Sequence, residues 1–164
     1  MSANKGLFEK YPNPIFIETG SMGGDGIKQA LDEGFKVIYS IELAEKWYLH
    51  CVERFKKVPG VHMINGDSGE LLEGLLKIID KPTTFWLDGH EGAESTPLLQ
   101  ELEAIKNHPI KTHTILIDDL RDWKLKVHGF NTEILKQKLL EINPEYKIVF
   151  EDGWQPNDIL VAKI

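Results

Sequence analysis

Short apolar runs alternate with longer amphipathic stretches along this chain, and the alternation repeats with the spacing of βα units. The first run, Ile15-Phe16-Ile17, predicts a strand, and a glycine-rich turn follows from Gly20 to Gly26. Ile27, Ala30 and Leu31 then recur at helical spacing as far as Glu33, where Gly34 supplies a stop. Lys36 to Ile41 reads as a second strand. The helix after it runs from Ala44 to Phe55, aligns Trp47, Cys51 and Phe55 on one stripe, and breaks at Pro59-Gly60. Val61 to Ile64 is a third strand, and Asp67 and Glu70 are spaced as a capping box ahead of Leu72, Leu75, Leu76 and Ile79. Thr83 to Leu87, β-branched and aromatic, is a fourth. Thr96-Pro97 opens a helix with Pro97 at its first position and Leu98, Leu102 and Ile105 facing inward. Thr114 to Ile117 is a fifth strand. Asn131 caps a helix carrying Leu135, Leu139 and Ile142, and Pro144 follows its end. Two last runs, Tyr146 to Phe150 and Ile159 to Ala162, flank a Gly-, Pro- and Asn-containing loop and predict an antiparallel hairpin. Five βα units and a hairpin predict an α/β fold. It is Rossmann-like and doubly wound, a mostly parallel seven-stranded sheet finished by a C-terminal antiparallel hairpin, in a single domain over residues 1–164.

Composition narrows the partners. Apolar residues make up 41% of the chain and charged ones 27%, the balance of a soluble globular protein. The longest apolar runs are too short to cross a bilayer, and the N-terminal residues show no secretory pattern, so no membrane partner is expected. The net charge of -7 and the lack of long basic runs disfavour nucleic acid. A small-molecule partner, neutral or cationic, is expected instead. The single cysteine, Cys51, excludes an intrachain disulfide and fits a reducing, cytoplasmic setting; its place on the helix stripe reads as a core thiol.

In open α/β sheets, ligands sit beyond the carboxyl ends of the strands. After the first strand stand Glu18, Gly20, Ser21, Gly24 and Asp25. The loop does not end in Lys-Ser/Thr, so it is not a triphosphate loop, and its spacing is not that of a dinucleotide fingerprint, which speaks against an NAD-dependent oxidoreductase. A carboxylate ahead of the glycines would repel pyrophosphate but suits a cation. S-adenosylmethionine, with a sulfonium and an ammonium, is such a ligand. After the second strand, Glu42 is placed to accept ribose hydroxyls or to satisfy the following helix N-terminus. After the third, Asp67 and Ser68 face either an adenine amino group or the helix they cap, and a capping carboxylate keeps one oxygen free for the first role.

Asp88 follows the fourth strand, and Asp118 and Asp119 the fifth. Three converging carboxylates ask for a cation, and oxygen-only ligands suit Mg²⁺, Mn²⁺ or Ca²⁺ better than zinc. The bland alternative is a pair of turn residues with Arg121 bonded to one of them. His90, two residues past Asp88, is either a general base for a hydroxyl proton or a loop histidine held by Glu91 or Glu94.

The order Glu-x-Gly-x-x-x-Gly from Glu18, then Glu42, Asp67 and Asp88, resembles the class I methyltransferase series of cofactor motifs over nearly the whole chain, Ile15 to Ile164. Leu87-Asp88-Gly89-His90-Glu91, with Ile117-Asp118-Asp119 downstream, is similar to the macrocin O-methyltransferase group, which is metal-dependent and modifies sugars. That group carries Asp-Gly-Asp after strand four and Asp-Asp after strand five. The resemblance implies metal ligation by Asp88, Asp118 and Asp119, most simply of Mg²⁺. It implies cofactor contacts from Glu18, Gly20, Glu42 and Asp67, and places His90 where the group has its basic Asp. His90 is thus a departure from the pattern. A second departure is the short stretch before the first strand, where the group has elements that cover the acceptor; a second copy or a partner subunit would then close that side. Two functions remain open at this point: a methyltransferase acting on a small hydroxylated, sugar-like acceptor, and a non-catalytic module that binds the same cofactor within a larger assembly.

Overall fold

A computed structural model describes residues 3–89, 96–121 and 131–164. A 3₁₀ turn over Phe8–Lys10 precedes β1 (Ile15–Thr19), α1 (Asp25–Asp32), β2 (Ile38–Glu42), α2 (Glu45–Phe55), β3 (Val61–Asn65), α3 (Ser68–Leu76) and β4 (Thr83–Leu87). Next come α4 (Leu98–Asn107), β5 (Thr114–Ile117), α5 (Thr132–Ile142), β6 (Lys147–Glu151) and β7 (Ile159–Lys163). The seven strands form one sheet in the order β3-β2-β1-β4-β5-β7-β6. Pairing is parallel from β3 to β5 and antiparallel at β5–β7 and β6–β7. This is the doubly wound, Rossmann-like sheet with a C-terminal antiparallel hairpin that the pattern predicts. The order reverses between β1 and β4, so the crevice expected for a ligand lies above those two strands.

The strands read as continuous apolar runs because both faces of the sheet are covered. Ile15, Ile17, Phe85, Leu87, Ile115 and Ile117 pack on one side with the inward residues of α3, α4 and α5. The alternate residues Phe16, Trp86 and Leu116 pack on the other with Ile27 and Ala30 of α1 and Cys51 and Phe55 of α2. Phe8 joins that second layer, its ring 4.8 Å from Phe16 and 5.2 Å from Trp86. Glu33 fixes the 3₁₀ turn there: its carboxylate accepts the backbone N–H groups of Gly6, Phe8 and Glu9.

Several boundaries differ from the sequence pattern in an informative way. β1 extends through the polar Glu18 and Thr19, both buried, and β2 likewise ends on Glu42. Asp67 caps α3 through Gly69 N–H at 2.8 Å rather than through Glu70, whose N–H goes to the Asp67 carbonyl at 3.2 Å. Pro97 is the N-cap of α4, not its first helical residue, and Thr96 Oγ1 accepts the Leu98 N–H. Asn131 caps α5 through Ile134 N–H, as its position suggests. Cys51 is a buried thiol donating to the Met22 carbonyl at 3.3 Å, and burial pushes its pKa up to about 11, which disfavours the thiolate.

Candidate functional site

The strand order lines the candidate residues along one edge of the sheet. From β3 to β5 the carboxyl ends present Asp67, Glu42, Glu18, Asp88 and Asp118 in that sequence. Glu18, Gly20, Ser21, Asp25 and Asp88 line a cleft with Trp86 beneath them.

Glu18 is 1% exposed. One oxygen accepts the Ser40 hydroxyl at 2.6 Å; the other lies against Gly26 at the start of α1, where a Cβ would overlap it. Burial, with the charges of Glu42 and Asp25 adding to it and Ser40 opposing, lifts its pKa to about 7. The glycine loop is shaped around this carboxylate. Gly20 has φ 84°, and a Cβ there would stand 2.7 Å from the Asp88 carbonyl, so only glycine lets the two loops meet. Gly24, also at φ 84°, turns its α-carbon toward Phe55 and Cys51 of α2. Arg54 of the same helix bonds the Gly23 carbonyl and pairs with Asp25 at 2.8 Å. Ser21 is buried with a hydroxyl that has no partner, an unused donor inside the cleft.

Glu42 spends both oxygens on backbone: one accepts Met22 N–H at 2.7 Å, the other Ala44 N–H at 2.8 Å. It therefore ties the glycine loop to the start of α2. Its remaining lone pairs are those a ribose could use. Asp67 is exposed and keeps one oxygen free beyond its cap. Ser68 is buried and donates to Glu101 at 2.6 Å.

Glu101 is a site-proximal residue that sequence reasoning missed. It is 1% exposed, and burial raises its pKa to about 7, with Ser68 opposing. A signal for it exists: position 101 falls three after Leu98 and four before Ile105, on the apolar stripe of α4, where a carboxylate must have a buried partner.

On the β5 side, burial and the charge of Asp119 raise the Asp118 pKa to about 6, and one Asp118 oxygen is buried without a partner. Asp88 is raised as well, by desolvation first and then by Asp118 and Asp119. Three carboxylates thus feel one another. The tightest trio among the described residues, however, is Asp118, Asp119 and Asp158, with oxygens all within 4.8 Å; Asp158, from the loop before β7, gave no sequence signal. Arg121 pairs with Asp119 at 2.5 Å and also with Asp158. His90 lies outside the described residues.

Solved structures share this architecture. The fold is that of S-adenosylmethionine-dependent methyltransferases. The SAH-bound Podospora anserina methyltransferase PaMTH1 superposes with a TM-score of 0.67 over 95% of this chain and 74% of its own, at 13% identity. The O-methyltransferase TomG from Streptomyces achromogenes, in complex with SAM, gives 0.63 over 96% and 76% at 12% identity. The N-methyltransferase NodS from Bradyrhizobium japonicum gives 0.60 over 94% and 86%, also at 12%. An O-methyltransferase and an N-methyltransferase thus both share this fold. No family model matches the sequence, and no curated protein matches it.

Proposed function

We propose that this chain is an S-adenosylmethionine-dependent methyltransferase acting on a small hydroxylated acceptor, sugar-like by sequence resemblance. The observation that carries the reading is Glu18: a carboxylate at the switch point of the sheet, buried in a glycine-walled cleft beside Asp88 and within the field of Glu42, with no cation among the described residues paired to it. A fixed, desolvated negative field of this kind favours a positively charged ligand.

The methyl donor supplies a sulfonium methyl group that passes to the acceptor oxygen. The chain's own residues do the rest. Glu18 and Asp88 hold the positive end of the donor, and the unpartnered Ser21 hydroxyl oxygen accepts from its ammonium N–H. Gly20, Gly24 and Asp25 shape the loop around it. Glu42 takes the ribose hydroxyls with lone pairs left over from its backbone bonds, and Asp67 and Ser68 line the base. His90, assigned from the sequence, receives the acceptor proton.

A divalent cation of the magnesium class fits the β5 carboxylates in part. Asp118 carries a buried oxygen with no partner, and its charge acts on Asp88, whereas Asp119 is already bonded to Arg121. Asp88, Asp118 and Asp119 would hold such an ion, and its charge would acidify an acceptor hydroxyl.

The test is transfer of labelled methyl from S-adenosylmethionine to a panel of vicinal diols and sugars. We expect turnover, and in His90→Ala a drop in kcat of about 100-fold or more with unchanged donor affinity. Donor binding without transfer to any acceptor would instead describe a binding module.

A further inference from the structure

Three carboxylates gather beyond β5, and their counter-charges are unequally shared. Asp118 and Asp119 come from the end of β5, Asp158 from the loop that enters β7, and their oxygens lie within 4.8 Å of one another. Arg121 spans two of them. Its Nη2 stands 2.5 Å from Asp119 Oδ1, and its Nη1 bonds Asp158 Oδ2. Asp158, 1% exposed, also accepts the Arg121 backbone N–H at 3.2 Å, and its carbonyl accepts the Leu120 N–H at 3.0 Å. The third carboxylate is served less well: Asp118, 7% exposed, accepts the Asp119 backbone N–H and feels the Arg121 charge, but its buried Oδ1 has no hydrogen-bond partner. A buried carboxylate oxygen without a donor is costly, and it points to a further positive group that can reach the cluster.

We propose that Arg121 is the resident cation of this cluster and that a divalent ion competes with it for the same oxygens. With the guanidinium seated, Asp119 and Asp158 are engaged and the ion is excluded by like charge. With it withdrawn, Asp118, Asp119 and Asp158 form a three-carboxylate site for a hard cation. Arginine cannot leave by losing its proton, so exchange requires the side chain to swing out; at 28% side-chain exposure it has solvent on one side. The inference rests on reading the β5 carboxylates as directed at a cation, and it adds Asp158 to them and makes Arg121 the gate.

The experiment titrates the full chain with Mn²⁺, reading free ion by electron paramagnetic resonance, in wild type, Arg121→Gln and Arg121→Lys. We expect Arg121→Gln to bind Mn²⁺ at least about tenfold more tightly than wild type, and Asp158→Asn added to Arg121→Gln to abolish the gain. Arg121→Lys keeps the charge but cannot span both carboxylates, so it should fall between and serves as the comparison if the glutamine variant does not fold. Equal affinity in wild type and variants, weaker binding in the variants, or no Mn²⁺ binding in any of them overturns the proposal. Calorimetry with S-adenosylmethionine on the same samples separates the two claims. Donor binding with an Arg121-independent Mn²⁺ response removes only the gate, while a chain that binds no donor removes the methyltransferase reading whatever Mn²⁺ does.

Discussion

Glu18 concentrates the account at the scale of one residue. Its carboxylate is desolvated, flanked by other acids, and stabilised by a single hydroxyl from Ser40. A group so placed weakens the ligand-free protein and strengthens the binding of a cation, so its removal should act in opposite directions on the two. Glu18→Gln, which keeps the shape and removes the charge, is expected to raise the thermal midpoint of the ligand-free chain at pH 8. A lowered midpoint would mean that the carboxylate is a structural anchor. Glu18 was legible in the sequence because it precedes glycines at a strand end. Asp158 was not, and Glu101 left only the trace of a carboxylate on an apolar stripe, without its partner. Each is a carboxylate whose partner lies far along the chain, 33 residues away for Ser68–Glu101 and 37 for Arg121–Asp158, and pairing over that distance is set by tertiary contact.

Among elements, α2 does the bracing. Phe55 and Cys51 press on Gly24, Arg54 holds the Gly23 carbonyl, and Glu42 accepts the N–H of Ala44, just before the helix, and the N–H of Met22. The glycine loop is therefore held before any ligand arrives, which lowers the ordering cost of binding. Gly24→Ala must put a side chain at φ 84° with Phe55 Cε2 2.6 Å away, and should cost about 1–3 kcal/mol in urea unfolding. Gly23→Ala meets nothing within 4 Å and should stay within about 0.5 kcal/mol of wild type. Equal effects would show that the loop is not braced. The helices themselves were legible from their apolar stripes, and the glycine turn from its composition. The inter-element bonds that rigidify it were not, because Arg54 reads in isolation as an ordinary surface charge and Asp25 as a loop residue facing the ligand, with nothing in the sequence to join them.

For the whole molecule, the buried acids set the pH response. Glu18 and Glu101, raised to about 7 from an ordinary value of 4.5, bind more protons folded than unfolded. Their stabilising contribution is complete below pH 4.5 and is lost as pH rises through 7. His113 works the other way. Its Nδ1 accepts the Thr83 N–H and its Nε2 meets His108, and burial lowers its pKa to about 4 from 6.5, so its contribution is complete above 6.5 and lost as pH falls toward 4. Asp118, raised to about 6, joins the acids. The acids outnumber the histidine, so the ligand-free chain should resist urea better at pH 5 than at pH 7.5, and Glu101→Gln should reduce the difference. Greater stability at pH 7.5 would mean that these carboxylates are not held desolvated. The parallel sheet and the hairpin were readable from the succession of apolar runs; the strand order, which puts the switch point between β1 and β4, was not, because right-handed crossovers alone leave several orders open. The field they jointly create emerges only when five strand ends share one edge.

That field is the centre of the account, and calorimetric titration of S-adenosylmethionine into wild type and Glu18→Gln at pH 8 tests it most directly. Wild type should bind one equivalent, and Glu18→Gln should bind at least about tenfold more weakly, a loss of roughly 1.4 kcal/mol. No heat from wild type at millimolar donor, or equal affinity in the two proteins, would contradict it.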